Sequence, residues 1–211
     1  MEIAVHPDQR VVVKVPAGTD MEIIQQRMLK RARWIKRQRD YFGQFSPRTP
    51  APWYLGGETH LYMGRQYRLK IGAGEVNKVK LAGGFFRVTV AESSAPEQVK
   101  RLLNEWYAQK AGERFTEILC RCLMNFKRMS IPAPKLSIRR MKTRWGSLSP
   151  KGTLTLNVSL IRAPRECIEY VITHELCHLK HSRHDAAFYR LLERHMPDWE
   201  RRKHKLEMTL A

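Results

Sequence analysis

His174-Glu175-Leu176-Cys177-His178 is the stretch that decides the fold and the chemistry of this chain, and His184 follows shortly after it. When H-E-x-x-H lies on a helix, the two imidazoles project from one face, about one turn apart. At this separation both can bind one Zn²⁺ through bonds of roughly 2.0–2.1 Å. Glu175 lies beside them, where it can accept a proton from a metal-bound water. The motif therefore predicts a zinc-dependent hydrolase, and specifically a peptidase.

The surrounding residues predict a helix over about 164–180 with one packed side. Pro164 suits the first turn of this helix. At about 100° per residue, the two histidines of the motif point away from a broad apolar side. That side consists of Ile168, Val171, Ile172, Leu176 and Leu179. A helix that lines a metal-binding cleft needs one apolar side for packing and imidazoles on the opposite side. The motif together with this pattern therefore indicates a metal site more specifically than two histidines alone.

The third metal ligand has several candidates. His181 lies at nearly the helical angle of the pair, but about 4.5 Å beyond the second histidine and about 10.5 Å beyond the first along the axis. His184 fits better if the helix breaks near 180–182 and the chain turns back. It also has the first-to-last spacing of H-E-x-x-H-x-x-G-x-x-H. A carboxylate of the next helix, Glu193 or Glu200, is a further alternative, so the residues favour His184 without deciding the matter.

Three protein ligands would leave one coordination position for water, which is the mark of a catalytic zinc site. A peptidase also needs a group that stabilises the oxyanion, and Tyr189, Arg144 and His195 are the candidates. Asp185 could orient an imidazole or cap a helix. Cys177 points off the line between the two ligands and is expected to be a packed thiol.

Composition indicates a soluble protein with an unusual charge. The 211 residues carry 39 Lys and Arg against 20 Asp and Glu, a net charge of +19, which would attract polyanions without selecting a sequence. No signal-peptide pattern and no membrane-span pattern is present. The four cysteines lack a C-x-x-C pair, so reduced thiols and a cytoplasmic location are expected, with no membrane partner.

The first 92 residues predict a β-rich N-terminal region. Alternating apolar residues over 3–15 indicate two short strands. Asp20 then offers an N-cap for one basic amphipathic helix over about 20–39, in which Trp34 lies beside a charged face. The Gly- and Pro-containing stretch 43–57 predicts a linker. Two strand-like runs follow, 58–71 and 77–90.

The remaining residues, 93–211, are predicted to form the catalytic domain. Ser94, Pro96 and Glu97 indicate the start of a long helix that ends near Met129. Short strands are predicted at 136–141 and 144–148, and a third at 153–160 by its clean alternation. The third strand suits an edge that borders the cleft and pairs with a peptide, although an internal position is equally compatible with its sequence. Further helices follow near Phe188 and from Asp198.

The chain resembles the YgjP-like metallopeptidases, which are relatives of the SprT and Spartan-type zinc proteases. The residues that carry the resemblance are Arg144-Trp145-Gly146-Ser147, the Lys151-Gly152 turn, His174 to Leu179, His184 and Phe188. The resemblance is dense from about 95 to 206, and the run 62–69 is similar to the N-terminal β region of that family. Leu148 stands where relatives often carry Cys.

This resemblance implies an α+β fold with a zincin-like minidomain, in which the active-site helix packs on a small, mostly antiparallel sheet. It implies one catalytic Zn²⁺ held by His174, His178 and His184, with Glu175 as the catalytic base. The Spartan-type relatives further imply substrates that are proteins attached to DNA, which would give the basic surface a purpose.

Two other functions compete with a peptidase. A metal-dependent nuclease or RNA-processing hydrolase can have the spacing H-x-x-x-H-x-x-x-x-x-H, but proteins of that kind lack a glutamate after the first histidine. A non-catalytic nucleic-acid-binding protein with a structural zinc would suit the charge, but it would need a closed fourth ligand position. Glu175 favours the peptidase.

Overall fold

The computed structural model describes residues 1–5, 9–44, 52–91, 95–129 and 131–210, a mixed α+β chain. It divides into two compact units, Met1–Pro50 and Ala51–Leu210. The boundary predicted at 92/93 and the helix start predicted at Ser94 lie outside the described residues and stay predictions. The same holds for residues 45–51 of the linker predicted over 43–57. None of the described helices is long and apolar enough to cross a membrane.

The first unit contains a hairpin and two helices. Strands β1 (Glu2–Val5) and β2 (Val11–Lys14) pair antiparallel, as the alternation predicted. Asp20 caps α1 (Met21–Lys30) by accepting the Glu22 backbone N–H at 3.0 Å. The single helix predicted over 20–39 is wrong, because Arg31 separates α1 from α2 (Ala32–Gly43) with φ −103° and ψ 3°. Neither Gly nor Pro stands near Arg31, so the sequence carries no signal for the break.

The second unit begins with a four-stranded sheet of β3 (Thr59–Tyr62), β4 (Arg65–Ala73), β5 (Lys78–Ala82) and β6 (Phe85–Val90). The order is β3-β4-β6-β5, with β4 and β6 parallel. Helix α3 (Pro96–Asn125) packs against it, and the Tyr107 hydroxyl donates to the Leu61 carbonyl at 2.7 Å. Phe86 of β6 lies in one buried cluster with Leu103 and Tyr107 of α3, and this cluster continues into the rest of the predicted catalytic domain. The four strands therefore share a core with that domain.

A second sheet borders the predicted metal helix and contains β7 (Lys135–Arg139), β8 (Gly146–Leu148) and β9 (Thr153–Asn157). Strand β9 is central, parallel to β7 and antiparallel to β8. The prediction of a mostly antiparallel sheet is therefore wrong, because this sheet is mixed. Of the two positions left open for the strand predicted over 153–160, the structure shows the internal one. That strand also ends early, since the Asn157 side chain accepts the Ser159 backbone N–H and starts a 3-10 turn over Val158–Arg162.

Three helices complete the unit: α4 (Arg165–Cys177), α5 (Ala186–His195) and α6 (Trp199–Leu210). The predicted apolar side of α4 is confirmed, because Ile168, Ile172 and Leu176 are buried. Ion pairs join α4 to its neighbours. Arg202 of α6 bridges Glu169 at 3.0 Å and Asp198 at 2.9 Å, which fixes α6 against the helix that carries the motif.

Glu207 of α6 yields a stability prediction. Its Oε2 is buried without a hydrogen-bond partner among the described residues, and burial raises the pKa of this carboxyl to about 7. The folded state favours the protonated carboxyl, whereas in the unfolded chain the carboxyl has its ordinary pKa of 4.5. The free energy of unfolding therefore decreases as the pH rises from 4.5 through about 7. We expect Glu207→Gln to increase the free energy of unfolding by about 1–3 kcal/mol at pH 8.

At pH 4 the same substitution should change the free energy of unfolding little, because Glu207 is then protonated in both states. Chemical denaturation at both pH values measures the difference. Glu75→Gln, in an exposed loop, is the control and should be neutral at both. An equal effect of Glu207→Gln at the two pH values would contradict the assignment to ionisation.

Candidate metal centre

Three histidines converge from the end of α4 and the loop after it. His174 lies in the last turn of α4, and His178 is the residue that caps the helix C-terminus. The helix thus ends slightly before the break predicted near 180–182. After a tight turn, in which His181 N–H donates to the Cys177 carbonyl at 3.1 Å, the chain returns and places His184 opposite the pair.

The Nε2 atoms of the three rings face one another. His184 Nε2 lies 2.9 Å from His174 Nε2 and 3.1 Å from His178 Nε2. All three ligand atoms lie within 4.8 Å of one another, and this is the one such group of His, Cys, Asp or Glu found among the described residues. The structure brings together the three histidines that the sequence favoured, while the alternatives His181, Glu193 and Glu200 remain outside the group.

The rings are held in orientation from behind. His178 Nδ1–H donates to the His181 carbonyl at 2.9 Å, which leaves the Nε2 lone pair directed at the other two rings. His181 therefore contributes its backbone oxygen rather than its ring. His174 Nδ1 is buried without a hydrogen-bond partner among the described residues.

Burial favours the neutral form of two of the three imidazoles, His174 and His184. Burial lowers the pKa of His174 to about 3, helped by the charges of His184, His178 and Lys203. Burial and the charge of His178 also lower the pKa of His184. Neutral nitrogen lone pairs that converge on one point are the donor set a divalent cation requires. The residues present therefore fit a metal ion of the zinc type.

Phe188 forms the floor under the three rings, a role that the sequence did not predict. It is fully buried, and its ring centroid lies 4.9 Å from that of His174 and 4.7 Å from those of His178 and His184. Asp185 positions it, because its carboxylate caps α5 by accepting the backbone N–H groups of Ala187 and Phe188 at 3.0 and 2.9 Å. Of the two roles predicted for Asp185, the structure shows the N-cap.

Glu175 lies on α4 between the two helix histidines and is 8% exposed. Burial raises the pKa of its carboxyl to about 7, against a hydrogen bond from the Leu148 backbone and the positive charge of Arg144. Strand β8 covers this side chain closely. A Cβ on Gly146 would lie 3.0 Å from Glu175 Cγ, Glu175 Oε1 and Val171 Cγ1, so only glycine fits there without a shift of its neighbours.

A cleft of about 910 Å³ opens beside the trio and Glu175. One wall is the segment 143–150, which contains β8, and the other is α4 with Tyr170 and the histidines. Because β8 pairs only with β9 among the described strands, its outer edge faces this cleft. The strand at the cleft is thus β8, which lies next to the predicted one in the sheet.

The candidates for oxyanion stabilisation fall in different places. Arg144 lines the cleft, and Tyr189 packs against Trp199 in a tilted arrangement, with its ring 6.3 Å from that of His184. His195 instead stacks on Phe126 at 3.9 Å, away from the residues of the cleft. Tyr170, which was not among the predicted oxyanion candidates, lies one turn before His174 and lines the cleft at 5.8 Å from that ring. Its spacing of four residues before the motif was the available signal.

The family model of the YgjP-like metallopeptidase domain matches residues 1–209. The chain therefore belongs to the YgjP-like family, is a metallopeptidase, and acts on peptide or protein substrates as a metal-dependent hydrolase. Membership confirms the resemblance and implies a divalent metal ion, typically zinc. No curated protein matches the chain. Among solved structures, the metallopeptidase zymogen abylysin of Pyrococcus abyssi is 28% identical over 43% of this chain and 87% of that chain, with a TM-score of 0.38.

Proposed function

We propose that this protein is a zinc peptidase of zincin-like architecture in which His174, His178 and His184 hold one ion and Glu175 acts as general base. The observation that carries the proposal is the convergence of three Nε2 atoms, with that of His184 at 2.9 and 3.1 Å from the other two, beside a buried carboxylate in an open cleft. When bound, zinc would polarise the scissile carbonyl and make the attacking water more acidic.

The residues of the chain divide the remaining work. Glu175 takes the proton from the attacking water and passes it to the leaving amine. Its burial supports this role, because desolvation raises the pKa of the carboxyl and makes the carboxylate a better proton acceptor. The Leu148 N–H orients the carboxylate, and Gly146 leaves the space that it occupies. Tyr170 and Arg144 are the cleft residues available to stabilise the oxyanion.

Substrate binding uses the open edge of β8. A peptide in extended conformation can pair with the outward main-chain groups of Gly146–Leu148, apart from the Leu148 N–H that Glu175 accepts. Its carbonyl groups would then lie between the strand and the histidines. Main-chain pairing is independent of side chains, so it suits a peptidase that acts on protein substrates with segments able to extend.

Association with DNA is the second part of the proposal. The net charge of +19 supports it, and so does the run from 21 to 43, where seven Lys and Arg accompany two acidic residues and Trp34. If DNA brings substrates to the enzyme, stimulation of proteolysis by DNA should fall steeply between low and high salt. A stimulation that does not depend on salt would contradict this part.

The test of the function is a comparison of three substrates with zinc-loaded protein: a casein-like protein, a protein bound to DNA, and RNA. We expect cleavage of the proteins, loss of cleavage after chelation, and recovery when zinc is restored. RNA should remain intact. Cleavage of RNA without cleavage of protein would replace the peptidase by the nuclease.

A further inference from the structure

The segment that contains β8 is rich in positive charge, and one of its basic residues lines the cleft. Between 135 and 151 the chain has six basic residues and no acidic one. Those six are Lys135, Arg139, Arg140, Lys142, Arg144 and Lys151. Of them, Arg144 is the residue that lines the cleft, where the acidic residue is Glu175 alone. A substrate in this cleft therefore meets one guanidinium, that of Arg144, on the wall that contains β8.

Arg144 has an exposed guanidinium but a fixed backbone. It is exposed, and it forms no ion pair in the part of the chain that the structure describes. The buried side chain of Asn157 pins the loop, since its Nδ2 donates to the Met141 carbonyl at 2.8 Å and to the Arg144 carbonyl at 3.0 Å. Asn157 N–H also donates to the Trp145 carbonyl at 2.9 Å. A side chain anchored in this way enters the cleft from a constant position.

The position of Arg144 along β8 defines which part of a substrate it can reach. It stands two residues before Gly146, the residue that packs against Glu175. An extended peptide advances about 3.3 Å per residue, so the guanidinium reaches side chains within about two residues of the bond beside Glu175. A planar guanidinium binds a carboxylate through two parallel hydrogen bonds. A lysine in place of the arginine cannot form this pair of bonds, and neither can the neutral amide of Gln in place of the substrate carboxylate.

We propose that Arg144 is a specificity residue that selects peptides with an acidic side chain close to the scissile bond. This inference rests on the proposed function, because it assumes that the cleft receives a peptide along β8. Nucleic acid is a second kind of anionic ligand that the guanidinium of Arg144 could attract. The open strand edge beside Arg144 favours a peptide, since it presents main-chain donors and acceptors that match a peptide backbone.

The test uses three sets of peptides that differ only in Glu, Gln or Lys at positions within two residues of the cleaved bond. At low salt we expect kcat/KM to fall in the order Glu, Gln, Lys, with about five-fold between Glu and Gln at the best position, as for an ion pair of moderate exposure. Arg144→Ala should reduce this ratio to about one, Arg144→Lys should retain part of it, and Arg144→Glu should favour Lys.

Lys151→Ala is the matched control, because it removes one positive charge from the same segment outside the residues of the cleft, and it should keep the wild-type ratio. A wild-type enzyme that cleaves Glu and Gln peptides equally would overturn the proposal. So would an equal loss of kcat on all three peptides in Arg144→Ala, which would make Arg144 an oxyanion-stabilising residue. A single-stranded oligonucleotide that competes through Arg144, with no Glu preference among peptides, would also overturn it.

Binding separates this proposal from the peptidase itself. The same peptides, labelled for fluorescence anisotropy, are titrated into zinc-loaded Glu175→Gln with and without Arg144→Ala. A preference for Glu peptides that depends on Arg144 supports the specificity site even if no peptide is cleaved by the wild type, which would reject the peptidase. Absence of both binding preference and cleavage rejects both.

Discussion

Replacement of Glu175 by Gln should abolish proteolysis while the protein keeps its metal. Gln has the size of Glu and can fill the space beside Gly146, but it cannot accept a proton from water. Loss of a general base typically lowers kcat by 10²–10⁴-fold, and we expect a decrease of about this size. Zinc content should remain at one ion per chain, because the three proposed ligands are unchanged.

The measurement combines peptide hydrolysis with elemental analysis of the same samples. Glu200→Gln serves as the control, since it removes an exposed carboxylate from α6 and should leave both values unchanged. Proteolysis undiminished in Glu175→Gln would refute the base assignment. Loss of zinc together with activity would indicate that Glu175 supports the metal rather than the proton transfer.

The sequence could predict the local parts of this site because they depend on residues close together in the chain. A spacing of four residues places His174 and His178 on one face of α4 whatever surrounds the helix. The apolar side of α4 and the cap formed by Asp185 follow from similarly short distances. The family resemblance added the choice of His184, which spacing alone left among several candidates.

The parts that the sequence could not predict depend on contacts between distant segments. Strand β9 pairs with β7 on one side and with β8 on the other, so β8 lies at an edge of the sheet. A run of alternating residues carries no information about which strands it will have as neighbours. The alternation of Thr153–Asn157 correctly indicated a strand but left open whether it lies at the edge or inside the sheet. The break at Arg31 had no local signal either.

The turn after α4 decides the third histidine, and the sequence predicted it only approximately, since the helix ends at His178 rather than near 180–182. The helix ends at His178, and the carbonyl of His181 accepts a hydrogen bond from the His178 ring. Sequence spacing treated His181 as a competing ligand, since it considers only side chains. The structure gives this residue a backbone function that orients the neighbouring imidazole, while the ring of His184 occupies the third place in the cluster.

Gly146→Ala should lower kcat by about 10²-fold without loss of zinc. The added Cβ would meet Glu175 Cγ and Oε1 and Val171 Cγ1, each at 3.0 Å, so the carboxylate must move or the strand must retreat. Displacement of a catalytic group by about 1 Å can cost this much activity. The effect should appear in kcat, because the outer edge of β8 that would bind the peptide is retained.

A matched glycine separates this effect from a general loss of strand flexibility. A Cβ added to Gly72 of β4 would have no atom within 4 Å, and the φ of this residue is ordinary, so Gly72→Ala should leave kcat unchanged. Val171→Ala removes one of the three close contacts, and the double variant Gly146→Ala, Val171→Ala should recover part of the activity because the strand can shift toward the vacated space. If Gly146→Ala has wild-type kcat, β8 does not position Glu175. If the double variant is less active than Gly146→Ala alone, crowding is not the cause of the loss.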